Sequence, residues 1–153
     1  GYVYQMENTI AFFVDGGTIG STRGRNRSIE IEIPGGRRFE ALNGTPIVVL
    51  ISDETASAGE MFASGMQTLK RATIVGTPSS GNTENLRGMD FFDGSRLWLA
   101  ELVFSRPDGS TIEDVGVQPD RVVPAEWWQY TTADDPQVKA ALEEIQRIAS
   151  SGR

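Results

Sequence analysis

Ile29, Ile31 and Ile33 alternate with Glu30 and Glu32, the period of two that a half-buried strand requires. Thr18 to Arg23 reads as a neighbouring strand, and Pro34-Gly35-Gly36 closes the pair. Before them, the apolar stretch Thr9 to Val14 predicts a short helix stopped by Asp15-Gly16-Gly17. The period then changes. Ile47-Val48-Val49-Leu50-Ile51 is an unbroken aliphatic run, which predicts a central strand buried on both faces. From Ser57 to about Arg71 the spacing becomes helical, with Met61, Phe62, Gly65, Met66 and Leu69 on one stripe. Ala72 to Gly76 is the next buried strand, and strand, helix, strand in that order is a βαβ unit with parallel pairing.

Gly81 to Arg87 is polar and reads as a loop. Met89 to Phe92 and Arg96 to Ser105 predict a hairpin about Asp93-Gly94, followed by the turn Arg106-Pro107-Asp108-Gly109. Val115 to Asp120 is a short extended segment. At the end, Asp134 or Asp135 can cap a helix whose first position suits Pro136, and Val138, Ala141, Leu142, Ile145 and Ile148 form its apolar stripe. The pattern divides the chain into residues 1–130, a mixed-sheet α/β unit, and residues 131–153, a terminal helix packed on it or linked to it.

Composition changes this picture in three ways. The chain has 153 residues and a net charge of −7, so nucleic acid is excluded as the main partner. The local basic stretch Arg23, Arg25, Arg27, Arg37 and Arg38 reads as charge guarding strand edges. Cysteine and histidine are absent, which leaves no thiolate chemistry, no expected metal site and no histidine base within the chain. No apolar run reaches membrane-spanning length, and the opening at Gly1 without a start methionine reads as a mature fragment.

Candidate chemistry lies in Thr55-Ala56-Ser57-Ala58-Gly59-Glu60, between a strand and a helix. A serine there meets free backbone N–H groups and the positive end of the helix dipole, and it could attack a carbonyl. The same residues, Ser57-x-x-Glu60, match a capping box in which the hydroxyl only satisfies an orphan amide. Local pattern alone favours the cap.

Taken with Ile47 to Leu50 before it and Lys70-Arg71-Ala72-Thr73-Ile74-Val75-Gly76 after it, the segment resembles the core of the C-terminal processing, or tail-specific, serine proteases. Asp108-Gly109-Ser110 and Val115-Gly116-Val117-Gln118-Pro119-Asp120 resemble that family's closing hairpin and Pro-Asp signature. The resemblance covers roughly residues 9 to 124. It implies a fold related to the Clp protease and crotonase superfamily, no cofactor, and cleavage of protein or peptide substrates, often near their C-termini, through an acyl-enzyme. Carried over, Ser57 is the nucleophile and the Ala58 N–H an oxyanion donor, with a second donor on a Gly-Gly turn upstream of Gly1. It also implies an extracytoplasmic location.

One position departs from the family pattern. Asn82 stands where the lysine base is expected, and asparagine accepts no proton near neutral pH. Lys70 follows Ser57 by a span that places it ~20 Å along one helix, against a hydrogen-bond reach of ~3 Å. Members lacking that lysine resemble the tricorn core protease and the retinoid-binding protein of the retina. In the tricorn-like branch a glutamate before the Gly-Val-x-Pro-Asp signature joins the catalytic group, and Glu113 matches it; an ordinary loop carboxylate is the competing reading. The base would then come from an upstream half-domain or a second chain, and these residues alone would be inactive. Two alternatives stay open: a non-catalytic peptide- or lipid-binding module on the same fold, and, with less support, an acyl-thioester enzyme of the crotonase type.

Overall fold

The computed structural model describes residues 1–151. Helix α1 spans Val3–Ala11 and begins earlier than the apolar run, because Met6, Ile10 and Ala11 turn inward while Tyr4 and Gln5 face solvent. Strands β1 (Gly17–Arg23) and β2 (Ser28–Ile33) pair antiparallel, with the shift in register between Thr18 and Gly20. Ile31 and Ile33 enter the core, whereas Ile29 is exposed. Arg25 and Arg27 lie in the exposed turn between these strands, and Arg37 and Arg38 are exposed beyond β2.

The βαβ unit forms as the pattern predicts. Strands β3 (Val48–Ile51) and β4 (Thr73–Gly76) pair in parallel and helix α2 (Ala58–Thr68) connects them. The position of β3 is a correction. It is the edge of a three-stranded sheet completed by the short β7 (Arg121–Val122), and Leu50 is 42% exposed. An unbroken aliphatic run records apolar character and carries no information on how many neighbours a strand has. The Val115–Asp120 segment leads directly into β7.

Strands β5 (Asn85–Asp90) and β6 (Arg96–Ser105) make the expected hairpin, but β5 starts inside the stretch read as a loop. Polar Asn85 and Arg87 fit this strand because all six of its residues are exposed. The second half of β6 turns inward through Leu102 and Phe104, pairs with β1, and completes a sheet of order β2-β1-β6-β5. Between the two sheets Ile10, Ile19, Met66, Ile74, Phe104 and Val117 are fully buried.

The terminal helix α3 (Pro136–Ser151) packs on β3 and β4. Asp135 caps it, its Oδ1 accepting the Gln137 N–H at 2.7 Å. Its inward face is Gln137, Ala140, Ala141 and Glu144, so Leu142 of the expected stripe is instead 54% exposed. The polar members are accommodated by partners. Gln137 Nε2 donates to the Val123 carbonyl at 3.0 Å, and Arg147 pairs with Glu144.

Candidate active site

Ser57 occupies the N-cap position of α2 with φ 57° and ψ −123°. Ordinary capping residues have extended backbones. A side chain at positive φ carries a conformational cost of about 1–3 kcal/mol, which the surroundings must hold in place. Those surroundings are visible. The Ser57 N–H donates to the Asn82 carbonyl and to Glu60 Oε2, each at 2.9 Å.

Ser57 and Glu60 form a capping box, the Glu60 carboxylate accepting the Ser57 N–H and the Ser57 side chain lying against the Glu60 N–H. The two halves are unequal: the Glu60 N–H is bonded to the Ser57 carbonyl oxygen at 3.0 Å, and the hydroxyl makes no cap hydrogen bond of normal geometry. Ser57 is half-buried and lines a pocket of about 250 Å³ with Gly1, Thr22, Met61, Thr83 and Leu86. Beside it, Ala58 is the first residue of α2, and its N–H has no backbone acceptor among the described residues. Gly1 comes up against this point: a Cβ built on it would lie 3.1 Å from the Ala58 Cβ. A hydroxyl without a full cap bond, a free amide at a helix N-terminus and a pocket thus meet at one place.

The facing wall is the loop 79–83. Glu60, fully buried, reaches into it: Oε1 accepts the Ser79 hydroxyl and the Gly81 N–H, both at 2.6 Å, and Oε2 accepts the Asn82 N–H at 2.9 Å. Ser79 Oγ in turn accepts the Val117 N–H at 2.7 Å. Glu113 is half-buried and lies one residue removed from the serine. Its Oε2 accepts both the N–H and the hydroxyl of Thr83, at 2.7 and 2.6 Å, and Thr83 lines the pocket.

The main chain of Asn82 is locked into this arrangement while its side chain is exposed. Neither lysine approaches. Lys70 follows the far end of α2 and borders a separate depression of about 470 Å³, and Lys139 Nζ donates to the Asp134 carbonyl at 3.1 Å. Among the described residues, Glu84 is the one ionisable side chain lining the serine pocket. No cluster of metal-ligating side chains occurs among the described residues.

Three members of the site escaped the sequence pattern. Glu60 had been legible only as half of a cap, and Ser79 and Thr83 only as polar loop residues. The available signal was the run of small residues Ser79-Ser80-Gly81 directly after a buried strand. Asp120 of the Pro-Asp signature proves to be a strut, accepting the Ile74 N–H at 2.7 Å and Gln67 Nε2 at 2.8 Å.

This geometry defines a class first: an α/β fold of two sheets with a serine on a strained strand-to-helix turn. Residues 1–123 match the model of peptidase family S41, and the chain belongs to that family. It is 35% identical over 116 residues to a carboxy-terminal-processing protease of Bartonella bacilliformis, covering 72% of this chain and 25% of that protein. A carboxyl-terminal-processing protease of Synechocystis is 32% identical over 107 residues, covering 68% of this chain and 25% of that protein. The chain thus spans about a quarter of the length of these relatives. Among solved structures, a photosystem II D1 C-terminal processing protease superposes with TM-score 0.73 at 26% identity, over 83% of this chain and 32% of that one. The tricorn protease, at 22% identity and TM-score 0.66 over 97% of this chain and 14% of that one, shares the fold.

Proposed function

We propose that this chain is the nucleophile-bearing part of a serine peptidase that cleaves protein or peptide substrates near their C-termini. The observation that carries the reading is the Ser57 turn: a non-glycine residue at φ 57°, its hydroxyl making no cap hydrogen bond of normal geometry, at the edge of a pocket. In this mechanism Ser57 Oγ attacks the scissile carbonyl and gives up its proton to a base. The Ala58 N–H stabilises the oxyanion; collapse of the tetrahedral species breaks the scissile C–N bond, the base returns its proton to the departing amine of the C-terminal fragment, and the acyl group stays on Ser57 as an ester until water hydrolyses it. Glu113 acts through Thr83, holding the pocket wall. The base comes from outside these residues, because the exposed Asn82 side chain cannot take a proton and both lysines lie elsewhere. The names of the relatives support the substrate class, and the resemblance supports action outside the cytoplasm. No helix among the described residues is long and apolar enough to cross a membrane.

The test is labelling of the full-length protein with a fluorophosphonate. Labelling that Ser57→Ala abolishes is expected, and an unlabelled wild-type protein would sink the proposal. One observation favours the second reading, a binding module on the same fold: no lysine or histidine lines the pocket among the described residues. A module of that kind binds peptide or lipid and does not label.

A further inference from the structure

The buried Glu60 carboxylate has no cation beside it. None of the ion pairs among the described residues includes it. Its charge is balanced by dipoles alone: three backbone N–H groups, one hydroxyl and the first turn of α2. A buried carboxylate without a counter-ion is costly unless every lone-pair direction is used, and here four donors use them. The donors come from two separate segments. Ser57 belongs to the nucleophile turn, and Ser79, Gly81 and Asn82 belong to the opposite loop. The Ser79 hydroxyl extends the connection to Val117 at 2.7 Å.

Resting on the peptidase reading, we infer that Glu60 is the positioning residue that fixes Ser57 and the 79–83 loop in one geometry, with Ser79 as its relay to the 112–117 segment. By accepting the Ser57 N–H, the carboxylate holds the backbone in its strained conformation at the edge of the pocket. By accepting the Gly81 and Asn82 N–H groups, it sets the distance between the serine and the wall across from it. A capping glutamate needs only the first of these four bonds; the other three have no capping purpose.

Glutamine at this position separates the two roles. Glu60→Gln keeps volume and shape, but its NH₂ must face either the Gly81 N–H or the Ser57 and Asn82 N–H groups, donor against donor. An ångström of misplacement at a reacting centre costs on the order of 100-fold in rate. In the full-length protein, Glu60→Gln is expected to lower the labelling rate and kcat about 100-fold with KM little changed. Hydrogen exchange at the Ser57, Gly81 and Asn82 amides should accelerate while that at Val49 in β3 does not. Ser79→Ala, a gentler change that removes one hydrogen bond, should lower the rate about 10-fold and accelerate exchange at Val117.

Labelling of Glu60→Gln at the wild-type rate would overturn the inference, as would exchange rising equally in β3, which would make Glu60 a stabiliser of the whole fold. If Glu60→Gln does not fold, Ser79→Ala carries the test: slowed labelling with local exchange supports the relay, and neither change refutes it. A wild-type protein that fails to label removes the peptidase reading, and the exchange measurements then decide on their own whether Glu60 fixes the turn.

Discussion

Ser57 and Gly116 illustrate how single backbone conformations build the site. Gly116 has φ 76°, and a Cβ there would come within 2.2 Å of the Ser79 carbonyl oxygen. No flexible side chain can yield, because the obstacle is main chain. Gly116→Ala is therefore expected to displace the 79–83 loop from its contacts with Glu60 and Val117. It should cost about 1–3 kcal/mol of stability, measured by denaturant unfolding, and slow labelling of Ser57 although residue 116 does not line the pocket. The Ser57 turn itself was only half legible. Residue types at 57 and 60 read locally as a cap, and the φ angle that marks this turn as strained cannot be seen in a sequence. Asn82 was legible as a departure, and the structure adds that its backbone is held while its side chain is exposed.

At the scale of elements, the β5–β6 hairpin shows local contacts taking the place of a core. A two-stranded ribbon is marginal in water. Trp98 covers Gly88, where a Cβ would meet the ring at 3.0 Å, and the Arg96 guanidinium lies 5.3 Å from the Trp98 ring centre. Arg96 also holds Asp90, its Nη2 to Oδ2 at 2.9 Å, and that hydrogen bond keeps the Asp90 carboxyl below its ordinary value of 3.8. A carboxyl with a depressed folded pKa contributes above its unfolded value, and the contribution disappears as pH falls through the folded one. The Trp98 indole resonance is thus expected to stay constant from neutral pH downward and to shift only below about 3.8. A shift between neutral pH and that value would show that the pair does not order the ribbon. The hairpin was legible from its Asp93-Gly94 turn. The start of its first strand, Asn85 to Gly88, was not, since exposure on both faces erases the alternation on which strand recognition depends.

For the whole molecule, the decisive fact is proportion. The chain spans about a quarter of its relatives' length, and among the described residues the Ser57 pocket is lined by one ionisable side chain, Glu84, and by no lysine or histidine. These 153 residues alone are expected to be inactive in peptide hydrolysis. Turnover by them, abolished by Ser57→Ala, would show that the base lies within the chain.

The sequence by itself determined the βαβ unit, the terminal helix with Asp134 or Asp135 as its cap, the family and the place of Ser57 at a strand-to-helix junction. Each is written in local periodicity or in a contiguous run of residue types. Only the tertiary structure decided that β3 is an edge, that Leu142 faces solvent, and that Glu60, Ser79, Thr83 and Glu113 converge around Ser57. Those facts depend on which distant segments come together, and a carboxylate's role is set by the donors that folding brings to it.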